Sequence, residues 1–172
     1  ATFFLQTKYY RDFQDEGFFN DRTLAAMDAL VAAGMEIASH SVSHSDMYAS
    51  LPLGDGSEQY PTYQPRVKAL GDTQGATVMG ELRVSRFLLE QLTGRSVVSF
   101  RPGYLATPPR LPEALAASGY RFSSSATAGN LTTHLPFRTN TQRMYSDETT
   151  VFEFPIAIED EIPPIMDQRV EE

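Results

Sequence analysis

Apolar positions along this chain follow two different periods in turn. Short β-prone apolar runs predict five strands, at residues 1–5, 36–39, 97–100, 120–123 and 151–155. Apolar residues at helical spacing predict three helices between them, at residues 21–33, 78–93 and 112–118. A glycine follows each predicted helix, at Gly34, Gly94 and Gly119. Strands and helices therefore alternate, which favours βαβ units and a mostly parallel α/β sheet, either open or closed into a barrel.

One long segment, residues 46–76, interrupts this alternation. It is rich in proline, glycine, tyrosine and polar residues, and it exceeds most connections in compact domains. We predict an insertion loop of the length that often carries function. Its Tyr60 and Tyr63, like Tyr104 further on, either present their rings to a sugar or pack their own loops down.

Composition narrows the possible functions. The 172 residues suffice for one globular domain, residues 1–172, and no cysteine is present to form disulfides. Lys and Arg number 14 against 22 Asp and Glu, and their scatter argues against a nucleic-acid partner. No window of about 18 apolar residues and no signal-peptide pattern occur, so neither a membrane span nor a leader is predicted. The sequence does not determine the oligomeric state.

Two of the three histidines, His40 and His44, directly follow the predicted strand 36–39. Function gathers at the carboxyl ends of strands in parallel sheets. If Ser41 caps a first helical turn, the i, i+4 spacing turns both imidazoles toward one point. Two ligands of a zinc-type ion need that arrangement, with a carboxylate as the third ligand. The alternative is a pair of solvated loop histidines beside a local capping serine.

Arg101 also follows a predicted strand, in the sequence Phe-Arg-Pro-Gly-Tyr at residues 100–104. A planar guanidinium there can clamp a carboxylate, and the bend can expose backbone N–H groups to an oxyanion. The alternative is a structural arginine in an ordinary Pro-Gly turn.

His134 lies in an irregular stretch after the fourth predicted strand, where it can face the same mouth as His40. An imidazole that binds no metal can transfer protons near neutral pH. The alternative is a surface-loop position.

Taken in order, these motifs resemble the polysaccharide deacetylase family with the NodB homology domain, carbohydrate esterase family 4. The matching segments are residues 1–4 (Ala-Thr-Phe-Phe), 40–44 (His-Ser-Val-Ser-His) and 100–102 (Phe-Arg-Pro). The resemblance implies a distorted (β/α) barrel of the NodB type. It also implies a hydrolase that removes acetyl groups from an N- or O-acetylated polysaccharide.

The resemblance further implies roles for individual residues. His40 and His44 would be ligands of a divalent ion, usually zinc and sometimes cobalt or nickel. Arg101 would orient the catalytic carboxylate, and the backbone N–H of Tyr104 would help to hold the oxyanion. The partner would be an acetylated glycan, at an extracellular, periplasmic or cell-envelope location.

Two motifs of the family are absent from this sequence. The aspartate pair that supplies the base and the third metal ligand belongs on a strand before residue 1, and no Leu-x-His motif follows Phe154. We therefore expect a fragment of a longer chain, incomplete at both ends, with His134 as the candidate substitute for the general acid.

Two other functions stay open. The first is a catalytically inactive carbohydrate-binding domain of the same fold, which the absent aspartates favour. The second is an α/β domain without metal, in which the histidines are incidental.

Overall fold

The computed structural model describes residues 1–11, 14–67, 73–127, 135–139 and 149–156. Strands in this part of the chain are β1 (Thr2–Leu5), β2 (Lys8–Arg11), β3 (Gln14–Phe18), β4 (Glu36–Ser39), β5 (Arg66–Val67), β6 (Thr73–Gln74), β7 (Ser99–Phe100), β8 (Phe122–Ser123), β9 (Phe137–Arg138) and β10 (Phe152–Glu153). The helices are α1 (Asp21–Ala32), α2 (Val78–Thr93) and α3 (Leu111–Ala117). Short 3-10 turns lie at Tyr48–Ser50 and Gly103–Leu105.

Six strands form the central sheet, in the order β1-β4-β7-β8-β10-β9. The first five run parallel, and β9 pairs antiparallel with β10. The predicted α/β fold with a parallel sheet is therefore confirmed. The described strands leave two sheet edges, at β1 and β9, and this part of the chain shows no closure into the expected barrel.

Two small antiparallel ribbons, β2–β3 and β5–β6, lie outside the predicted pattern. They are short and largely polar, as the sequence Gln-Asp-Glu-Gly-Phe of β3 illustrates, so no alternation of apolar residues marks them. The segment 46–76 is therefore not wholly irregular, because it contains both β5 and its partner β6. The predicted strands at 97–100, 120–123 and 151–155 are each shortened to two residues.

The ends of the helices follow from their caps. Asn20 begins α1 in a capping box with Thr23, and the Thr77 side chain begins α2 by accepting from the Gly80 N–H. Helix α2 ends at Gly94, whose φ of 63° lies in the left-handed region that favours glycine. Each predicted helix is confirmed to within one residue at either end. None of the described helices has the length and apolar character needed to cross a bilayer.

The helices cover one face of the sheet, and the main core lies between the helices and this face. Ile37 and Phe100 from the sheet are buried against Leu82, Leu89 and Leu115 from the helices. Each fully buried side chain of this size stabilises the fold by about 1.5–3 kcal/mol. This layer fixes β4, β7 and α2 relative to one another.

The opposite face of the sheet carries more polar residues and is open. Because side chains alternate along a strand, the neighbours of the core residues point to this side. They line a cavity of about 500 Å³ together with the core-facing Phe100 and Ser123, and its other walls are Thr2, Phe4, Glu36, Ser99, Arg101, Phe122, Ser124 and Phe154. The cavity reaches the carboxyl ends of the strands at Arg101 and Ser124.

Candidate functional site

The structure brings His40 and His44 together at the carboxyl end of β4. Their ring centroids lie 4.6 Å apart, with the ring planes inclined by 57°. The predicted helical turn is wrong, because Ser41 and His44 adopt φ values of 68° and 52° and fold the chain back instead. The expected local bond of Ser41 is present, since its Oγ accepts from the His44 N–H at 3.1 Å.

The tautomer of His40 is set by a backbone carbonyl. Its Nδ1 lies 2.7 Å from the carbonyl oxygen of Arg101, and because a carbonyl only accepts, Nδ1 carries the proton. The lone pair is then on Nε2, as in most metal-binding histidines. Burial lowers the pKa of His40 to about 4, so the ring is neutral at pH 7. Burial also lowers the pKa of His44.

The ring of His44 lies on the turn that follows β7. A Cβ at Gly103 would stand 2.8 Å from Cδ2 of His44, so this close approach requires glycine. The Tyr104 ring, 54% exposed, lies 4.8 Å from the His44 ring between centroids. Tyr104 has a φ of 54°, within the 3-10 turn Gly103–Leu105. The oxyanion role of its backbone N–H stays a prediction.

Arg101 is held by the loop after β8. Its Nε donates to the Ser124 carbonyl at 3.2 Å, and its Nη2 donates to Ser124 Oγ at 2.8 Å. The guanidinium also lies over the Phe4 ring, 4.4 Å from its centroid. Burial lowers the pKa of Arg101, and the charge of nearby Glu153 raises it. In the described residues the guanidinium binds Ser124, and the orienting of a catalytic carboxylate by Arg101 stays a prediction.

A buried glutamate that sequence reasoning overlooks supports the histidine pair. Glu81 Oε2 accepts hydrogen bonds from the backbone N–H groups of Val42 and Ser43, at 3.0 and 2.8 Å. Desolvation raises the pKa of Glu81 and these hydrogen bonds lower it, with a net rise. A signal was available: Glu81 lies beside the apolar stripe of α2, where a charged residue needs a buried partner.

The tyrosines of the long loop divide between the two predicted roles. Tyr63 is buried and donates from its hydroxyl to Glu81 Oε1 at 2.9 Å, so it packs its loop down. Tyr60 is 42% exposed and contacts Phe18 and Phe87 through its ring. Of the three tyrosines considered, Tyr104 and Tyr60 keep surface that a sugar can reach.

One predicted site residue, His134, lies outside the described part of the chain. The general-acid role of His134 therefore stays a prediction.

The donor atoms present suit part of a metal site. Two adjacent imidazoles, one of them with Nε2 left free, are groups that a zinc-type ion prefers as ligands. Among the described residues, no group of three His, Cys, Asp or Glu side chains could hold an ion. The geometry thus offers two candidate ligands, and a third would have to come from outside the described residues.

Comparison of this chain with known proteins identifies its family. A sequence profile described as polysaccharide deacetylase matches residues 1–123, which include both histidines, Arg101 and Tyr104. No curated protein sequence matches the chain at a significant level.

A solved structure shows the same fold. A Mycobacterium smegmatis protein named as a polysaccharide deacetylase superposes with a TM-score of 0.54 and 18% identity, over 79% of this chain and 36% of that one. The Xyl-CE4 domain of a multidomain xylanase from the hindgut metagenome of Trinervitermes trinervoides gives 0.45 and 21%, over 77% and 48%. The chain thus spans less than half the length of either structure. The match over residues 1–123 shows that the chain belongs to the polysaccharide deacetylase family.

Proposed function

We propose that this chain is part of a metal-dependent hydrolase that removes acetyl groups from an N- or O-acetylated polysaccharide. The observation that carries the proposal is the pair of imidazoles at the end of β4. Their ring centroids lie 4.6 Å apart, and the bond to the Arg101 carbonyl leaves Nε2 of His40 free to bind an ion. Family membership supplies the reaction class.

In this proposal His40 and His44 hold a divalent ion, with zinc as the first choice and cobalt or nickel as substitutes. When bound, such an ion polarises an acetyl carbonyl and lowers the pKa of water. The neutral state of His40 at pH 7 favours binding, because no proton has to leave first.

Other residues of the chain would orient the catalytic carboxylate, stabilise the acetyl oxygen and protonate the leaving group. Arg101, fixed by Ser124 at the rim of the cavity, orients the catalytic carboxylate. The backbone N–H of Tyr104 stabilises negative charge on the acetyl oxygen. His134 returns a proton to the leaving group. The base and the third ligand are to be sought outside the described residues.

The substrate would be an acetylated glycan outside the cytoplasm. The cavity of about 500 Å³ next to Arg101, and the exposed ring of Tyr104 beside His44, provide polar and aromatic surfaces of the kind that sugars contact. We assign the insertion loop 46–76 to substrate specificity, within a single deacetylase-like domain.

A catalytically inactive carbohydrate-binding domain is the second candidate. One observation favours it: the described residues place no carboxylate with the two histidines in a three-ligand group. Under this alternative the fold and glycan binding remain, and hydrolysis is absent.

A calorimetric zinc titration of the 172-residue chain and of its His44→Ala variant tests the proposal. We expect one-to-one binding that the substitution abolishes. Acetate release from acetylated chitin oligomers and acetylated xylan then separates the two candidates, because only the hydrolase produces acetate. Equal zinc binding by both proteins would contradict the metal site.

A further inference from the structure

We propose that Glu81 is a positioning residue for the two histidines: its carboxylate sets the path of the backbone between them. This inference rests on the proposed function, in which His40 and His44 hold the ion. Three residues lie between the two histidines. Two of them, Val42 and Ser43, donate backbone hydrogen bonds to Glu81.

The contact is unusually complete for one carboxylate oxygen. Glu81 Oε2 accepts the Val42 N–H at 3.0 Å, the Ser43 N–H at 2.8 Å and the Ser43 hydroxyl at 3.0 Å. Glu81 and Val42 have no solvent exposure, and Ser43 has 2%. A buried N–H without an acceptor is costly, so the backbone at residues 42–43 has to follow this oxygen.

The carboxylate itself is fixed from its other side. Its Oε1 accepts from the Tyr63 hydroxyl at 2.9 Å, and that hydroxyl oxygen accepts from the Thr77 N–H at 3.2 Å. The Tyr63 ring packs so closely on α2 that a Cβ at Gly80 would clash with Tyr63 Cε2. With donors on both oxygens, the plane of the carboxylate cannot turn without breaking a hydrogen bond.

One turn further along α2, Ser85 holds the start of the same loop. Its Oγ lies 2.8 Å from Ser39 Oγ, which accepts the Ser41 N–H at 3.3 Å. Helix α2 therefore holds the backbone on both sides of Ser41. Such support is needed, because Ser41 and His44 adopt left-handed backbone conformations that are unfavourable for residues other than glycine.

All the groups that contact this carboxylate are uncharged donors. The position of the acceptor oxygen, rather than the negative charge, should therefore determine the loop geometry. Glu81→Gln keeps an oxygen at the same reach and can turn its amide toward Tyr63. Glu81→Asp keeps the charge and withdraws both oxygens by one methylene. The two substitutions separate position from charge.

The experiment is a calorimetric titration with Zn²⁺ alone, with the visible absorption of bound Co²⁺ as a reporter of ligand geometry. The proteins are the 172-residue chain, Glu81→Gln and Glu81→Asp. We expect Glu81→Asp to weaken zinc binding at least about tenfold and to change the Co²⁺ spectrum, and Glu81→Gln to stay within about threefold of the unmodified chain.

Leu89→Ala is the matched control. Leu89 is fully buried on the same helix, two turns beyond Glu81, so its truncation destabilises the core without removing a bond to the loop. Urea unfolding shows that each variant is folded in the assay. Unchanged zinc binding in Glu81→Asp would overturn the proposal. So would a loss in Glu81→Gln or Leu89→Ala as large as that in Glu81→Asp.

Two further measurements cover the remaining outcomes. If Glu81→Asp does not fold, Tyr63→Phe replaces it, because this change frees Oε1, and undiminished zinc binding would then overturn the proposal. If the unmodified chain binds neither ion, the proposed function fails and NMR of the metal-free protein decides the inference. We expect ring-proton NOEs between His40 and His44 in the unmodified chain and Glu81→Gln, and their loss in Glu81→Asp; their retention there would overturn it.

Discussion

Two loops at the carboxyl edge of the sheet are held by the same kind of contact. In the β4 loop, residues 40–45, Glu81 accepts two consecutive backbone N–H groups. In the β8 loop, residues 124–126, Glu153 Oε1 accepts those of Ser125 and Ala126 at 2.6 and 3.0 Å. Each carboxylate is buried, and each satisfies donors that would otherwise be buried without a partner.

The two loops differ in where the carboxylate comes from and in what the loop carries. Glu81 belongs to helix α2, and its carboxylate accepts hydrogen bonds from uncharged donors. Glu153 belongs to strand β10, next to β8, and its negative charge raises the pKa of Arg101. The β4 loop carries two imidazoles, and the β8 loop carries serines, of which Ser124 binds Arg101. One anchoring arrangement thus supports a loop that carries two histidines in one place and a loop that binds Arg101 in the other.

The largest effect should come from removing each carboxylate. We expect Glu81→Leu to lower the free energy of unfolding by about 3–5 kcal/mol and Glu153→Leu by about 2–3 kcal/mol, because three and two loop donors, respectively, lose their acceptor. Urea denaturation measures both. A loss below about 1 kcal/mol in either variant would show that the two loops are not anchored alike.

Zinc binding should depend on the β4 loop and not on the β8 loop. His40→Ala removes a ligand of the β4 loop, and we expect zinc affinity to fall at least about 100-fold. Ser125→Ala, a buried position of the β8 loop, should leave zinc affinity unchanged. Calorimetric titration of both variants provides the comparison, and equal losses would mean that the β8 loop takes part in metal binding.

A residue outside both loops sharpens the contrast further. Gly103→Ala places a methyl group 2.8 Å from Cδ2 of His44, and the ring has to move by a few tenths of an ångström. We expect about a tenfold loss of zinc affinity with a change of less than about 1 kcal/mol in the free energy of unfolding. Calorimetry and urea denaturation on the same sample test this. Unaltered affinity would show that the His44 ring position is not critical.

The smallest effect should follow from Ser124→Ala. The change removes a hydrogen bond from Arg101 Nη2 and one to the Phe154 carbonyl. We expect the free energy of unfolding to fall by about 1 kcal/mol and zinc affinity to remain, because no histidine is touched. Urea denaturation measures the free energy of unfolding, and calorimetric titration measures the zinc affinity. Weaker zinc binding would show that the β8 loop also supports the proposed metal site.

Much of the fold follows from local patterns. In α2 the spacing of Leu82 and Leu89 and the terminal Gly94 predict the helix and its end. The ribbon β2–β3 is not predicted, because its polar sequence has no period and its pairing depends on a partner strand.

The site was predictable only in part. The rings of His40 and His44 do meet, but through left-handed backbone at Ser41 and His44 rather than through a helical turn. Local spacing does not reveal such a bend, because bonds from Glu81, 38 and 39 positions away, support it. Long-range contacts of this kind leave no periodic signal in the sequence.

The attachment of the segment 46–76 to α2 at two places, Pro52 and Tyr63, has an evolutionary consequence. Its chain is tied to α2 where Pro52 accepts the Val78 N–H at 2.9 Å and where Tyr63 meets Glu81. Between such ties, lengthening a flexible loop costs little, about 0.6 kcal/mol for each doubling. Stretches between the anchors can therefore be exchanged or extended while the histidine pair keeps its support. On the proposed function, specificity for different glycans can then diversify while the proposed metal site is kept.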